Sequence, residues 1–369
     1  MQPSPEISDM KQVKCPSCGA TLSYKPGTTS QACEYCHSTF EIASEQELVQ
    51  AAKAEKDLQS ALAGDWQQAQ AGGQSAVVKC PSCGAETALG TSMFSGSCTF
   101  CGSVLTVKPD TKAVANPQAV LPFKLERPAA TAYYQNWLRK LWFAPNDLKN
   151  TASADRFNGV YLPFWTFDAN TSTVYQGQRG DHYTENVRQV VDGKTVVRQV
   201  VKTRWSGVRG RVSRAFNDIL VTASRALPAK FLNSLEPWDL ANLTNYDARY
   251  LSGFQAEVSQ VDIREGFEAA KGVMGSVIRQ DIHRDIGGDE QRITGAQTSF
   301  ADTTYKYILL PVWLSVFRYG DKVYRFVVNA RTGEVLGERP YSAIKIALAV
   351  IAVLMFLCMA TFIVTLLNQ

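Results

Sequence analysis

Eight of the nine cysteines in this chain stand in C-x-x-C pairs, a spacing suited to thiolate–metal chemistry. Two thiolates on one tight turn reach a single ion, and a second such turn completes a tetrahedral four-sulfur site. Cys15-Pro16-Ser17-Cys18-Gly19 is followed, with fourteen residues between Cys18 and Cys33, by Cys33-Glu34-Tyr35-Cys36. Cys80-Pro81-Ser82-Cys83-Gly84 and Cys98-Thr99-Phe100-Cys101-Gly102 repeat the arrangement at a constant offset of 65 residues. Eight ligands in register point to an internal duplication. The expectation is two zinc ribbons, 13–43 and 78–107. One holds Zn2+ on Cys15, Cys18, Cys33 and Cys36, the other on Cys80, Cys83, Cys98 and Cys101. Both sites are closed, so the two ions are expected to be structural, because ribbons of about 30 residues bury too little to fold alone. An iron site of the rubredoxin kind uses similar knuckles, typically with a longer insertion. His37, beside Cys36, reads as an exposed bystander to a complete ligand set.

Metal rather than disulfide follows from the expected compartment. Ile346 to Leu367 is a run of 22 residues without a charge, about 33 Å as a helix against a hydrocarbon core of about 30 Å. It has no polar stripe for a soluble amphipathic helix. Arg339 and Lys345 precede it and no basic residue follows, which places the preceding region in the cytoplasm. Residues 1–20 contain no apolar stretch of signal-peptide type. The expectation is a tail-anchored, single-pass protein of the inner (cytoplasmic) membrane, with the span at 344–367. In a reducing cytosol the cysteines bind metal. A hydrophobic fraction of 45% and a charged fraction of 20% describe a globular chain rather than a disordered one. Its length implies two or three domains besides the span.

The elements that must position these cysteines make a multidomain α+β chain. Ser44 to Glu47 has capping-box spacing and opens an inter-ribbon helix (44–73) with Leu58, Leu62 and Trp66 on one face, ended by Gly72-Gly73. That face suits either a partner or a ribbon. Residues 108–118, with Pro109 and Pro117, read as a linker, and 119–340 as a strand-rich α+β region. Within it, Pro128 to Phe143 is an aromatic-rich helix. Leu162-Pro163-Phe164-Trp165 and Leu310-Pro311-Val312-Trp313 echo each other, which suggests a second duplication. Val187–Val191 and Thr195–Val201 flank Asp192-Gly193, a two-residue hairpin signal. Lys322–Asn329 and Glu334–Gly337 form another hairpin. A helix from Arg264 to Arg284 carries Phe267, Ala270, Met274 and Ile282 on one face and stops at Gly287-Gly288. Gly287-Gly288-Asp289-Glu290 shares letters with a cyclase signature, but it follows a helix directly and Gln291 comes next, so it reads as a helix stop.

No catalytic constellation emerges, and the chain is expected not to be an enzyme acting on a small molecule. Its three histidines (His37, His182, His283) have no triad-like neighbourhood, and the nucleophile-elbow, Walker and dinucleotide glycine motifs are missing. Net charge is only +4, yet 176–214 concentrates nine basic residues: Arg179, Arg188, Lys194, Arg198, Lys202, Arg204, Arg209, Arg211 and Arg214. Against Asp181, Glu185 and Asp192 the balance is +6. A solvated strand face, an anionic lipid surface and nucleic-acid phosphates all fit it.

Taken together, the paired Cys-Pro-x-Cys-Gly ribbons, the Leu-Pro-x-Trp strands, the helix ending Asp285-Ile286-Gly287-Gly288-Asp289-Glu290 and the single span resemble one group of bacterial membrane proteins. These are the TFIIB-type zinc-ribbon proteins, sometimes named primosomal protein N′ or replication factor Y-like helicases. The helicase name would rest on the cysteines alone, since no nucleotide-binding loop is present. Related proteins are encoded near SPFH-domain (flotillin-like) and phage-shock-protein-A-like proteins. The resemblance implies a membrane adaptor or scaffold that recruits such partners, with zinc on the eight cysteines and no catalytic residue. The alternative is a membrane-tethered nucleic-acid binder.

Overall fold

The computed structural model describes residues 13–42, 54–64, 71–88, 96–105, 110–145, 148, 157–191, 194–228, 231–232, 234–319 and 322–367. In chain order, β1 (Leu22–Tyr24), β2 (Ser30–Cys33) and β3 (Thr39–Glu41) form a small sheet in the first ribbon. β4 (Lys56–Asp57) leads into α1 (Leu58–Ala63). Then come β5 (Ala71–Lys79), β6 (Glu86–Ala88), β7 (Gly96–Ser97), β8 (Val104–Leu105), β9 (Asp110–Ala115) and β10 (Ala119–Val120). α2 (Arg127–Lys140) precedes β11 (Asn158–Val191) and β12 (Lys194–Thr222). β13 (Thr244–Asn245) and β14 (Gln255–Glu257) lead to α3 (Ile263–Ile286), β15 (Glu290–Tyr319), β16 (Lys322–Asn329), β17 (Val335–Gly337) and α4 (Ala343–Leu367). The chain is a strand-rich mixed α+β protein with one long apolar helix at its end.

Two β-α-β-β units make the centre of the main sheet: β10-α2-β11-β12 and β14-α3-β15-β16. β11 and β15 pair antiparallel with Leu162 opposite Leu310, so the two Leu-Pro-x-Trp segments face each other across a local pseudo-two-fold. The surroundings obey the same relation. β14 runs parallel to β11 with Val160 opposite Gln255, and β10 runs parallel to β15 with Ile308 opposite Ala119. The Pro163 carbonyl accepts from the Ala223 amide, and the Pro311 carbonyl from the Ala330 amide. The tryptophans complete the pattern. Trp165 Nε1 donates to the Val261 carbonyl (3.0 Å) and Trp313 Nε1 to the Leu125 carbonyl (2.9 Å). Each acceptor directly precedes a helix N-cap, Asp262 or Glu126. Each unit's tryptophan therefore pins the start of the other unit's helix.

β11, β12 and β15 extend beyond this centre as a blade. Thirty-four residues in β11 at about 3.3 Å each give a contour near 110 Å. Burial along β11 changes in three steps. Gly159 to Phe167 are buried on both faces, an apolar run between sheet neighbours and core. From Ala169 to Gly177 only alternate residues are buried, since one face is covered. From His182 to Gln189 every residue is exposed.

The cover on the middle stretch is α3, whose stripe Phe267, Ala270, Met274, Ile278, Ile282 and Ile286 shares a core with Ala169, Tyr175 and Phe216. Gly266 permits this approach, because a Cβ there would lie 2.9 Å from Trp165 Cδ1. The helix stops at Gly287 (φ +62°). Beyond it Asp289 accepts from the His182 amide (2.6 Å), and Glu290 accepts from Thr203 Oγ1 (2.8 Å) and contacts His182 Nε2 (3.0 Å). The glycine-glycine-acid segment thus ends the helix and ties it to the blade. Past that clasp β11 and β12 continue as a two-stranded ribbon to Val191 opposite Lys194, a ladder that leaves two residues for the turn. Asp192 and Gly193 lie outside the described residues.

Two expected elements differ. Among the described residues, the inter-ribbon helix is confined to Leu58–Ala63. Lys56 and Asp57 are extended because they pair with Tyr305 and Thr304, and Asp57 then caps the helix through Ser60 N (2.7 Å). Ser44, Glu47 and Trp66 lie outside the described residues. Gly72 belongs to β5, whose register against β9 slips between Gly72 and Gln74, a usual role for glycine in a strand. The expected linker 108–118 contains β9, which saturates the edge of β5 from Asp110 to Ala115.

α4 carries a 22-residue apolar stretch, Ala343–Val364, of mean hydropathy 2.9 whose hydrophobic window is 0% buried against the protein. It is long and apolar enough to serve as a single membrane span. At its start Ser342 N donates to the Phe143 carbonyl, and Lys345 Nζ to the Trp142 and Ala144 carbonyls. The helix therefore emerges beside the end of α2, at the root of the blade.

Candidate metal centres

The sulfur atoms of Cys15, Cys18, Cys33 and Cys36 lie within 4.8 Å of one another, as do those of Cys80, Cys83, Cys98 and Cys101. Cys15–Cys36 and Cys18–Cys33 are 3.5 Å apart, and Cys80–Cys101 and Cys83–Cys98 are 3.7 Å apart. A tetrahedron with metal–sulfur bonds of about 2.3 Å has edges of roughly 3.75 Å. A disulfide needs about 2.05 Å. Each group can therefore hold one metal ion with all four thiolates, and the eight cysteines come together as their spacing requires.

Backbone turns set this geometry. In each C-x-x-C knuckle the amide of the residue after the second cysteine donates to the carbonyl of the first. Gly19 bonds Cys15 (2.8 Å), His37 Cys33 (3.0 Å), Gly84 Cys80 (2.9 Å) and Gly102 Cys98 (2.8 Å). All four donors have positive φ: +74° at Gly19, +59° at His37, +76° at Gly84 and +72° at Gly102. Glycine adopts this conformation without steric cost. Position 37 is the one knuckle where a side chain tolerates it.

Serines beyond the ligands escape a ligand-only reading. Ser38 Oγ lies 3.3 Å from Cys36 Sγ, and Ser103 Oγ 3.0 Å from Cys101 Sγ. Their separation repeats the 65-residue offset, which is the signal that identifies them. Hydrogen bonding with Ser38 brings the Cys36 thiol down to about 6. Burial opposes ionisation of Cys80, but Ser103 and backbone amides outweigh it and bring that thiol to about 6 as well. Burial pushes Cys83 up to about 11. Such partners tune how readily a thiolate set accepts a cation.

The ribbons attach to the body by different faces. The first docks through its strands: Tyr24 N donates to Ser252 O (2.9 Å), and Gln31 Nε2 to Ser252 Oγ (2.7 Å) and Arg249 O (3.2 Å). Tyr24 joins the core of Phe123, Tyr134 and Tyr250. Its knuckles face outward, with Cys18 exposed and Tyr35 83% exposed. The second ribbon docks through its knuckles. Phe100 is fully buried, its carbonyl accepts from Arg325 Nε (2.9 Å), and Gln260 Nε2 donates to Gly84 O (2.7 Å). Its β6 pairs with β14, so this ribbon is woven into the main sheet.

The basic segment does not form one patch. Arg179 pairs with Asp181 (2.9 Å), Lys202 with Glu185 (2.5 Å) and Arg214 with Asp281 (2.6 Å), while Arg204 stacks on Tyr183. Arg188, Arg198, Arg209 and Arg211 are exposed. In the unbroken β12 register, Arg198, Lys202, Arg204 and Arg214 share one face, while Arg209 and Arg211 take the other. Nothing is described of the Lys194 side chain.

No family model matches the chain, and no solved structure matches it. Over 243 residues it is 26% identical to the uncharacterised protein YdjG of Bacillus subtilis (strain 168), covering 63% of this chain and 66% of that one. The matched part is thus just under two thirds of the relative's length.

Proposed function

We propose that this protein is a membrane-anchored adaptor, in which two structural Zn2+ ions hold ribbons that recruit a protein partner to the bilayer. The observation that carries the reading is the coupling of two coordinatively closed four-cysteine centres to an apolar helix uncovered by the body. Four thiolates leave no position for water or substrate, so each ion supports a surface instead of a reaction. A 22-residue apolar stretch whose hydrophobic window has no buried residue is suited to lipid around it. Arg339 before α4 and Lys345 in its first turn favour a cytoplasmic body on the inner membrane. The resemblance to TFIIB-type zinc-ribbon membrane proteins supports SPFH- or phage-shock-protein-A-like proteins as the partner class. No catalytic residue is assigned.

The test is gentle extraction of the full-length protein from membranes, with identification of co-purifying material, beside a Cys15→Ser/Cys80→Ser variant. A membrane-associated protein held by the wild type and lost by the variant is expected. Nuclease-sensitive nucleic acid in its place would favour the second reading, a tethered nucleic-acid binder. That reading draws on Arg188, Arg209 and Arg211, exposed on one face of the blade, and on Arg198, exposed on the other. It requires an affinity that falls steeply with salt.

A further inference from the structure

Because the ribbons are duplicates, one copy shows what the other's surface is shaped to do. Position 35 of the first ribbon corresponds to position 100 of the second. Phe100 is 0% exposed, set in the core with Leu162, Leu310 and Val312. Around it, Thr99 bonds Gln255 and Arg325 donates to the knuckle's own carbonyl. The second knuckle of this ribbon is thus a plug: an aromatic tip in an apolar socket, with a guanidinium gripping the backbone at the rim. Tyr35, on the same turn with the same ligand spacing, is 83% exposed, and Glu34 beside it is exposed too.

We propose that the Cys33–Cys36 knuckle of the first ribbon is a docking plug, received by another protein through an apolar socket with basic side chains on its rim. Tyr35 takes the place in that socket that Phe100 takes in this chain's own body. An arginine on the rim repeats the grip of Arg325 on the Phe100 carbonyl. Glu34, which replaces the neutral Thr99, adds a negative charge beside the tip and requires a second cation opposite. A second copy of this chain offers no vacant socket of this kind, since its own Phe100 fills it. Exposed tyrosine on a rigid support is well suited to be an interface anchor, because little side-chain freedom is lost on docking. A metal ion on the four thiolates would supply the rigidity, since it would fix the knuckle at both ends through Cys33 and Cys36.

This inference rests on the adaptor reading, and the test separates the two. A photo-crosslinking phenylalanine analogue is placed at position 35 of the full-length chain in its membranes, and the adduct is mapped by mass spectrometry. The expected adduct is a protein, joined at an apolar pocket that carries arginine or lysine. Tyr35→Ala is expected to weaken that complex about 30-fold. Glu34→Lys weakens it further at low salt than at high salt, and both variants keep the wild-type metal content. If Tyr35→Ala retains a partner that Cys15→Ser/Cys80→Ser loses, the plug is refuted and the adaptor stands. If neither variant changes what co-purifies, the adaptor reading itself falls. Adducts with lipid, with nucleic acid or with a second copy of the chain overturn the plug.

Discussion

Glu257 should make the protein less stable as pH rises through neutrality, and Glu257→Gln should remove that dependence. The residue sits on β14 opposite Thr87 of the second ribbon, only 2% exposed. Ser224 Oγ donates to one of its oxygens (2.8 Å), and the other oxygen has no hydrogen-bond partner among the described residues. Burial raises its pKa from 4.5 to about 8, despite the Ser224 bond, which favours the charged form. The folded carboxyl therefore keeps its proton between those two values while the unfolded one loses it. Stability is full below about 4.5, declines as pH rises, and levels off above about 8. A gap of that size corresponds to at most roughly 5 kcal/mol, and relaxation of the site reduces the expected loss to a few kcal/mol. The assay is urea unfolding of the detergent-solubilised full chain at pH 5.5 and 8.5, read by tryptophan fluorescence. Asp168, which burial and Glu55 raise to about 7, contributes a slope of the same sign in both proteins. The difference between wild type and Glu257→Gln thus isolates Glu257. Equal pH slopes in the two would refute the buried, neutral carboxyl.

Other outcomes follow from the same contacts. The purified protein should carry two zinc ions per chain by elemental analysis. A chelator should strip hydrogen-exchange protection from β6 and β14 together, because the second ribbon is woven into the sheet. Trp165→Phe and Trp313→Phe should each lower stability by about 1–2 kcal/mol through loss of one buried indole–carbonyl bond, with earlier exchange at the start of α3 and of α2 respectively. His37→Gly should raise the thermal midpoint slightly, by about 0.5–1 kcal/mol of stability, since position 37 has φ +59°, while metal content stays at the wild-type value.

The ligands were legible in the sequence because a tetrathiolate site is local: two turns, each written in five residues. α3 was legible from its stripe and its glycine stop, and the blade hairpin from Asp192-Gly193. What escaped is set by neighbours distant in sequence. Lys56 and Asp57 are extended because Thr304 and Tyr305 lie alongside, and nothing within the helix-forming stretch records that pairing. The length of the blade was hidden for a related reason. β11 passes from two-faced burial to one-faced burial to none, so no single periodicity spans it. The Leu-Pro-x-Trp echo was visible, but its meaning depends on carbonyls at Leu125 and Val261, each far from its tryptophan in the chain. Ser38 and Ser103 could have been found, since they keep the 65-residue offset of the ligands.

In both pairs of repeated units the two members differ in what they leave uncovered. The β15–β16 hairpin ends after Tyr319 opposite Lys322, close to the core, whereas β11–β12 runs on past its covering helix. The second ribbon's knuckle fills the body, whereas the first ribbon's faces solvent. The two free surfaces are far apart. Ribbon one shares its core, through Tyr24, with Tyr134, Leu141 and Ala144, the elements on which the start of α4 rests. The blade tip lies most of a ~110 Å strand away, whereas electrostatic attraction to an anionic membrane fades within about 8 Å at physiological salt. On the adaptor proposal, a partner docked on the first ribbon sits on the part of the body that shares its core with the support of α4. The exposed arginines of the tip reach lipid only if the blade lies down along the surface. On the adaptor proposal, the ribbon rather than the basic segment is the part whose disruption should release the partner.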